Sequence, residues 1–513
     1  MRRVAFIHPD LGIGGAERLV VDAALGLVAT GNYAVEIFTS HHDPTRCFPE
    51  TRDGSLSVNV LGDSIVPASI RGRFVIICAI LRQLHLTFSL ALSTLLYHFL
   101  PRCPNSYFVQ NGWVIQPFDV IVVDQLSASI PFLRWLLATR VLFYCHFPDL
   151  LLSPGADLSA IPSSSTTTKP SSTSFLKLLY RIPFDAIEHA TTGQADTILV
   201  NSNFTRGVFH KTFPEIPLPQ VLYPAIDTSK FIPLTLEDSG TLAAPDTFLS
   251  INRFETKKQH SLALEAFAEL VSKYDASGKS LRLIIAGGYD ERIMDNLLTL
   301  DSLQNMATSL NLKYKIYNGT DPELSNIVTT EGGEQKRKSH HEVIFVRNLS
   351  DQHKIQWMGS HKFAALLYTA QNEHLGIVPL EAMSCGLPVL ACNNGGPVET
   401  ILDIPTHTEY NGEGTGLLRP ADPKIWSQAM IQLLNFNNEQ RNKIRQSCVR
   451  RAHEMFSLDT MTDQLSNHLE NIININPYSL SIYSESSFLK FFTGLVLSFV
   501  FASLSFFIIY TTK

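Results

Sequence analysis

Several stretches of this sequence carry residue types that can grip an anion or handle a proton. Glu373 and Glu381 both fall in Tyr368-Thr-Ala-Gln-Asn-Glu-His-Leu-Gly-Ile-Val-Pro-Leu-Glu-Ala-Met383. Pro379 suits the first turn of a helix, where no backbone N–H is needed. Glu373 then lies in the loop ahead of that helix and Glu381 one or two turns inside it. The N–H groups near Gly376 and Ile377 point toward any anion between the two acids, so a sugar phosphate can be held from both ends. Arg253 and Lys258, in Asn252-Arg-Phe-Glu-Thr-Lys-Lys258, offer a bidentate fork and a point charge, a pair suited to a diphosphate. A solvated basic turn is the commoner fate of such residues, so context has to decide.

Upstream, Asp10-Leu-Gly-Ile-Gly-Gly-Ala-Glu-Arg18 places Gly14 and Gly15 at a strand-to-helix turn, where backbone can approach a phosphate. It departs from the dinucleotide fingerprint, because the sixth position from Gly12 is Glu17; that disfavours a nicotinamide-dependent oxidoreductase. Asn394-Gly-Gly-Pro-Val-Glu399 resembles a second backbone nest for an anion. His146, in Phe143-Tyr-Cys-His-Phe-Pro-Asp149, follows a strand at the sheet edge where ligands bind in doubly wound folds. A lone histidine is more often structural.

These loops need strands to hold them. Val4 to Ile7, Ala34 to Thr39, Val120 to Val123 and Val141 to Tyr144 are short β-branched or aromatic runs that alternate with helical patterns such as Ala16 to Ala29. A second set comprises Thr247 to Ile251, Leu281 to Ala286, Val343 to Val346, Ala364 to Tyr368 and Val389 to Ala391. The alternation predicts an α/β chain of two doubly wound parallel sheets, one over residues 1–225 and one over 226–475, changing over near Leu222 to Phe231. Two polar segments, 162–174 and 329–341, lack hydrophobic periodicity and read as inserted loops.

At 513 residues two domains are expected. The net charge of -6 gives no support for a nucleic-acid partner. The seven cysteines are scattered and never form a C-x-x-C pair, which predicts neither a disulfide framework nor a zinc site. The first apolar run stops at His8-Pro9-Asp10, too short for a secretory signal, so it reads as a buried strand. Phe491 to Tyr510 holds no charged residue, and the segment 488–510 is expected to be a transmembrane anchor. Phe74 to Leu100 is also apolar, with Arg82, Gln83, His85 and His98 as interruptions. A single span there would separate the first two strands from their sheet, and a hairpin of two spans needs about forty residues. An interfacial membrane helix is therefore expected slightly ahead of a core helix.

Glu373 and Glu381, with Arg253 and Lys258 before them and Gly14-Gly15 far upstream, resemble the retaining GT-B glycosyltransferases that use nucleotide-diphosphate sugars. His8 to Arg18, Phe143 to Leu152, Ala286-Gly-Gly-Tyr-Asp-Glu-Arg292 and Asn372 to Met383 narrow the resemblance to the α-1,3/α-1,6-mannosyltransferases of asparagine-linked glycosylation. The resemblance implies two Rossmann-like domains facing a cleft, GDP-mannose as donor, and a dolichyl-diphosphate-linked Man1GlcNAc2 as acceptor. It further implies successive α-1,3 and α-1,6 additions on the cytosolic face of the endoplasmic reticulum, with other transferases of that route as partners. Carried over, Arg253 and Lys258 would hold the diphosphate, Glu373 the mannose and Glu381 the ribose. Gly14, Gly15, Gly376 and Ile377 would line the phosphate and sugar pocket, and His146 would face the sugar near the acceptor. No cofactor and no obligatory metal are expected. Gln259 stands where related enzymes often carry Asn. A retaining glycosidase would also use two carboxylates, but a loop and a helix acid beside phosphate-binding cations make a poor acid and nucleophile. A non-catalytic membrane scaffold of a glycosyltransferase complex is the remaining alternative.

Overall fold

Buried strands of a parallel sheet read as nearly continuous apolar runs, and the runs in this chain form such strands. The computed structural model describes residues 1–70, 74–99, 114–148, 151, 175–233, 246–274, 280–329, 342–404 and 413–474. The chain divides into two compact units, Met1–Pro224 together with Met461–Lys513, and Ala225–Thr460. The inserts at 162–174 and beyond Thr329, and the expected anchor at 488–510, lie outside the described residues.

The first unit holds β1 (Arg2–His8), β2 (Tyr33–Thr39), β3 (Ser57–Val60), β4 (Val120–Asp124), β5 (Arg140–Cys145), β6 (Thr197–Val200) and β7 (Gln220–Val221). They pair in the order β3-β2-β1-β4-β5-β6-β7, every neighbour parallel. The order reverses between β1 and β4, so the loops leaving those two strands diverge and open a crevice at their C-terminal ends. Ala5, Ile7, Ile121, Val123, Val141 and Phe143 form the centre of the core. The Gly15–Ala29 helix follows β1 directly.

The second unit holds β8 (Thr247–Ile251), β9 (Arg282–Gly287), β10 (Lys313–Asn318), β11 (Glu342–Arg347), β12 (Phe363–Tyr368), β13 (Val389–Cys392) and β14 (Gly416–Arg419). Their order is β10-β11-β9-β8-β12-β13-β14, again parallel throughout, with the reversal between β8 and β12. The expected α/β class of two doubly wound sheets is what the chain forms.

One expectation needs correction. The second domain was expected to run to residue 475, yet the chain returns to the first unit at Met461. Met461, Leu465, Leu469 and Ile472 form the buried stripe of the Leu458–Ile473 helix, and the first unit supplies the cover it needs. Tyr33 donates a hydrogen bond to Glu470 at 3.2 Å, and a Cβ on Gly26 would fall 2.0 Å from the Thr462 hydroxyl, so only glycine lets the helices approach this closely.

The Val75–Phe99 helix, for which both an interfacial and a core reading were open, packs one face into the core. Leu86 and Leu90 enter the core cluster, and buried Gln83 donates to the Leu126 carbonyl at 2.8 Å. Its other face exposes Ile76, Leu81, Phe88, Leu92 and Leu95. The helix is long and apolar enough to cross a membrane by length and composition. The six described cysteines are all free and buried.

Candidate functional site

In the second unit the site grows from the ends of β8 and β12, on either side of the reversal. Gly287 and Gly288 close β9, and a Cβ on Gly287 would meet the Asn252 carbonyl oxygen at 1.8 Å. Their bareness lets the Asn252–Phe254 backbone cross β9, where Phe254 N–H donates to the Gly288 carbonyl at 3.0 Å. That path carries Arg253 outward, 64% exposed, with its guanidinium 3.0 Å from Glu255. The Thr256–Lys258 turn ends on Gln259 in the left-handed region at φ 50°, and Gln371 donates to the Gln259 side chain at 2.6 Å.

Lys258 turns inward, only 12% exposed, and its ammonium donates to Oε2 of Glu373. The Tyr368 hydroxyl donates to the same oxygen at 3.2 Å, and Thr369 donates to the Lys258 carbonyl at 2.6 Å. Burial would raise the Glu373 carboxyl, but Lys258 beside it outweighs burial and holds it below the usual range, so it is ionised at neutral pH. Burial and the neighbouring Glu373 push the Tyr368 phenol well up, which keeps it a donor. His260, buried under Arg253 and bonded to its carbonyl at 3.1 Å, is pushed down to about 4 by burial. It therefore adds no charge beside Lys258.

Glu373 sits ahead of the Ile377–Ser384 helix, and Gly376 at its N-cap has φ 90°. A Cβ there would touch the Tyr368 ring at 3.0 Å, so glycine is required both for the conformation and for the packing. Glu381 lies inside the helix, buried, with Oε1 2.8 Å from the Lys354 ammonium. Burial raises its carboxyl despite Lys354. Its other oxygen, Oε2, is buried without a hydrogen-bond partner.

The expected nest at Asn394–Gly396 is a buttress instead. The Gly396 N–H is already donated to the Glu373 carbonyl at 2.7 Å, and Asn394 Oδ1 accepts from Asn372 N–H at 2.7 Å. A Cβ on Gly396 would lie 2.3 Å from the Leu375 Cα. The two glycines let this loop pack against the backbone carrying Glu373, and no N–H is left over for an anion at Gly396.

The first unit places Gly14, Gly15 and His146 at the ends of β1 and β5. Gly14 caps the Gly15–Ala29 helix in extended backbone, φ -167°, which any residue adopts. The Glu17 side chain folds back over it, 2.2 Å from where a Gly14 Cβ would stand. His146 lies beside Asp124, with Nε2 2.8 Å from Oδ1, and Asp124 Oδ2 is 2.7 Å from Nδ1 of His8. Sequence reasoning missed Asp124 and His8 as a pair; a polar residue at each of two strand ends, after purely apolar runs, was the signal. It also missed Tyr368 and Lys354, which act through the acids they hold. Among the described residues, no group of three or more His, Cys, Asp and Glu side chains is arranged to hold a metal ion.

Residues 13–230 match the Glycosyltransferase Family 4 model, and residues 333–451 match glycosyl transferases group 1. The chain is 40% identical over 478 residues to the α-1,3/1,6-mannosyltransferase ALG2 of Kluyveromyces lactis, covering 92% of this chain and 85% of that one. It is also 40% identical to the enzyme of the same name from Yarrowia lipolytica, covering 92% of each chain. For the Saccharomyces cerevisiae enzyme the identity is 38%, covering 92% of this chain and 85% of that one. Among solved structures, sucrose-phosphate synthase from Thermosynechococcus elongatus superposes with a TM-score of 0.60 at 16% identity, covering 93% of this chain and all of the other. Anabaena Alr3699/HepE in complex with UDP-glucose gives 0.56 at 15% identity, covering 92% and all of the other. At such identities these two speak for the GT-B fold alone.

Proposed function

This chain belongs to the α-1,3/1,6-mannosyltransferase family of asparagine-linked glycan assembly, and on that premise we propose that it transfers mannose from GDP-mannose to dolichyl-diphosphate-linked Man1GlcNAc2, adding an α-1,3 and then an α-1,6 mannose with retention. The observation that carries the donor assignment is the meeting of Lys258, Glu373 and a helix N-terminus at the reversal point of the second sheet. A fixed cation beside helix N–H groups is suited to a diphosphate, and an ionised acid held next to it is suited to sugar hydroxyls.

In this reading Lys258 and Arg253 bind the diphosphate and meet its growing charge as it leaves. Backbone N–H groups at Gly376 and Ile377 do the same from the helix side, and the strand-to-helix turn at Gly14 and Gly15 is assigned to phosphate as well. Such preorganised donors act where charge develops, and no obligatory metal is needed in this scheme. The diphosphate competes with Glu373 for Lys258, and Glu373 then turns its oxygens to the mannose. Glu381 takes the ribose: a buried oxygen lacking a partner costs about 1–3 kcal/mol, which a ribose hydroxyl would relieve. His146 is assigned to the sugar on the acceptor side. Retention follows if the donor phosphate takes the acceptor's proton on the same face, so no protein general base is assigned.

The exposed apolar stripe of the Val75–Phe99 helix supports work at a membrane surface, where the lipid tail of the acceptor resides. The location proposed is the cytosolic face of the endoplasmic reticulum, alongside other transferases of the route. The scaffold alternative has nothing in its favour at the donor site, since a scaffold needs no ionised acid held against a lysine. The test is transfer in chelator: purified chain, GDP-mannose and a synthetic lipid-diphosphate acceptor, with the product digested by linkage-specific α-mannosidases. Product sensitive to α-specific enzymes, formed equally with and without chelator, supports the scheme; β-linked product or strict metal dependence refutes it.

A further inference from the structure

Three strand ends in the first unit meet at one carboxylate. His8 closes β1, Asp124 closes β4 and His146 follows β5, and these strands are neighbours in the sheet. Asp124 is 1% exposed and lies between two rings: Oδ2 is hydrogen-bonded to His8 Nδ1 at 2.7 Å, and Oδ1 is in ionic contact with His146 Nε2 at 2.8 Å without the alignment of a hydrogen bond. His8 has no exposure at all, and its far nitrogen faces Glu17 at 3.9 Å. A buried ionic cluster of this kind contributes little to stability that packed apolar side chains would not match, so its presence at a ligand-binding edge calls for a further role.

We propose that Asp124 is the positioning residue for His146 in the transfer reaction, holding the imidazole through Nε2 so that Nδ1 is the nitrogen offered to a substrate hydroxyl. The proposal rests on the transferase reading above and assigns that reading a residue it lacks. An ionised carboxylate has no proton to give and repels a lone pair at this range, so each ring nitrogen facing it carries a proton. When His146 holds a single proton, that proton is on Nε2 and Nδ1 has the lone pair. Nδ1 has no partner among the described residues, and the side chain is 19% exposed, so it can be reached.

His8 is the brace. Both of its nitrogens face carboxylates, which favours the doubly protonated ring and balances the Asp124 charge. Burial would lower His8, but the hydrogen bond to Asp124 and the nearby Glu17 carboxylate outweigh it and raise it to about 9. Burial would raise Asp124, but His146 and His8 bring it down to about 2. Asp124 thus stays a carboxylate at neutral pH, and it orients His146 without taking its proton.

The test is Asp124→Asn. A carboxamide offers an oxygen to one ring and an NH2 to the other, so one imidazole must present a bare nitrogen to it and the tautomer is lost. Turnover should fall by more than about 10-fold but by less than the ~10⁴-fold lost where the misdirected histidine is itself the general base, while the KM for GDP-mannose changes less than about twofold. The double variant Asp124→Asn/His146→Ala should be no slower than His146→Ala alone, because Asp124 acts only through that ring. Losses that multiply in the double variant would overturn the proposal. The ¹⁵N shifts of the His146 imidazole in the unaltered full chain should report a proton on Nε2; a proton on Nδ1 would overturn it too, and this reading stands even where Asp124→Asn does not fold. Absence of mannose transfer by the unaltered chain would instead count against the functional reading and leave the tautomer result to decide the geometry.

Discussion

Replacing Lys258 by Ala removes one member of a pair in which both side chains are largely buried, 12% and 23% exposed. The Glu373 carboxylate keeps the Tyr368 hydroxyl but loses its cation. A charge-assisted hydrogen bond contributes about 1.5–3 kcal/mol, and stripping the partner from a fully buried charge costs about 3–5 kcal/mol. With a fifth of the acid open to water, a loss of about 2–3 kcal/mol is expected, at the lower edge of the buried range. For a unit of this size about 2–4 °C accompanies each kcal/mol, so the melting transition should drop by roughly 4–12 °C. Glu373→Ala removes the orphaned charge, so the double variant should be less destabilised than the sum of the two single ones by about 1–2 kcal/mol. Calorimetry of all four proteins reads this directly, and protection by saturating GDP-mannose should be lost in Lys258→Ala. Strict additivity of the two substitutions, or undiminished protection by donor, would refute the claim that this pair is the core of the donor site.

Other outcomes follow from the same geometry. A histidine raised from 6.5 to about 9 by folding adds about 3 kcal/mol that is fully present below pH 6.5 and is lost as pH rises through 9. The stability gap between the unaltered chain and His8→Gln, measured by denaturant titration, should therefore be large at pH 6.5 and close toward pH 10; a gap that stays constant would contradict the pairing. Gly396→Ala drives a Cβ to 2.3 Å from the Leu375 Cα and should cost about 1–3 kcal/mol and displace Glu373, whereas Gly207→Ala, in a helix with open space around it, should stabilise by about 0.5–1 kcal/mol. Equal effects at the two glycines would show that the buttress is not tight. Leu81→Gln, Leu92→Gln and Leu95→Gln together should weaken co-sedimentation with phosphatidylcholine and phosphatidylinositol vesicles, beyond what the segment 488–510 supplies, while leaving the melting transition within about 2 °C, since all three side chains are exposed; unchanged binding would dismiss the stripe as a membrane face.

The central strands were legible because a strand buried on both faces must be apolar throughout. Thr247–Ile251 was placed to the residue, and β1, β4 and β5 to within a residue or two. The edge strands Ser57–Val60 and Lys313–Asn318 escaped because one side of each faces solvent, which leaves polar residues such as Asn59, Lys313 and Lys315 among few apolar ones. The Leu458–Ile473 helix was not singled out, and nothing local in its amphipathic pattern says which unit covers its stripe. At the site, Lys258 and Glu373 stand more than a hundred positions apart, and their residue types together with flanking turns brought them forward. Gly395 and Gly396 misled for a physical reason: glycine pairs serve backbone approach of any kind, and here the approaching group is the protein's own loop. The Asp124 carboxylate gives only a faint signal, a polar residue ending an apolar run as His8 does, and neither has a spacing that joins it to the other.

The measurement that bears most directly on the account is mannose transfer by the purified chain from GDP-mannose to a synthetic lipid-diphosphate chitobiose-mannose, counting sugars by mass and running Arg253→Ala and Glu373→Ala beside it. Two added mannoses, both lost in the two variants although those proteins remain folded, is the predicted result. GDP-mannose binding without any transfer, or transfer that survives both substitutions, would contradict the account.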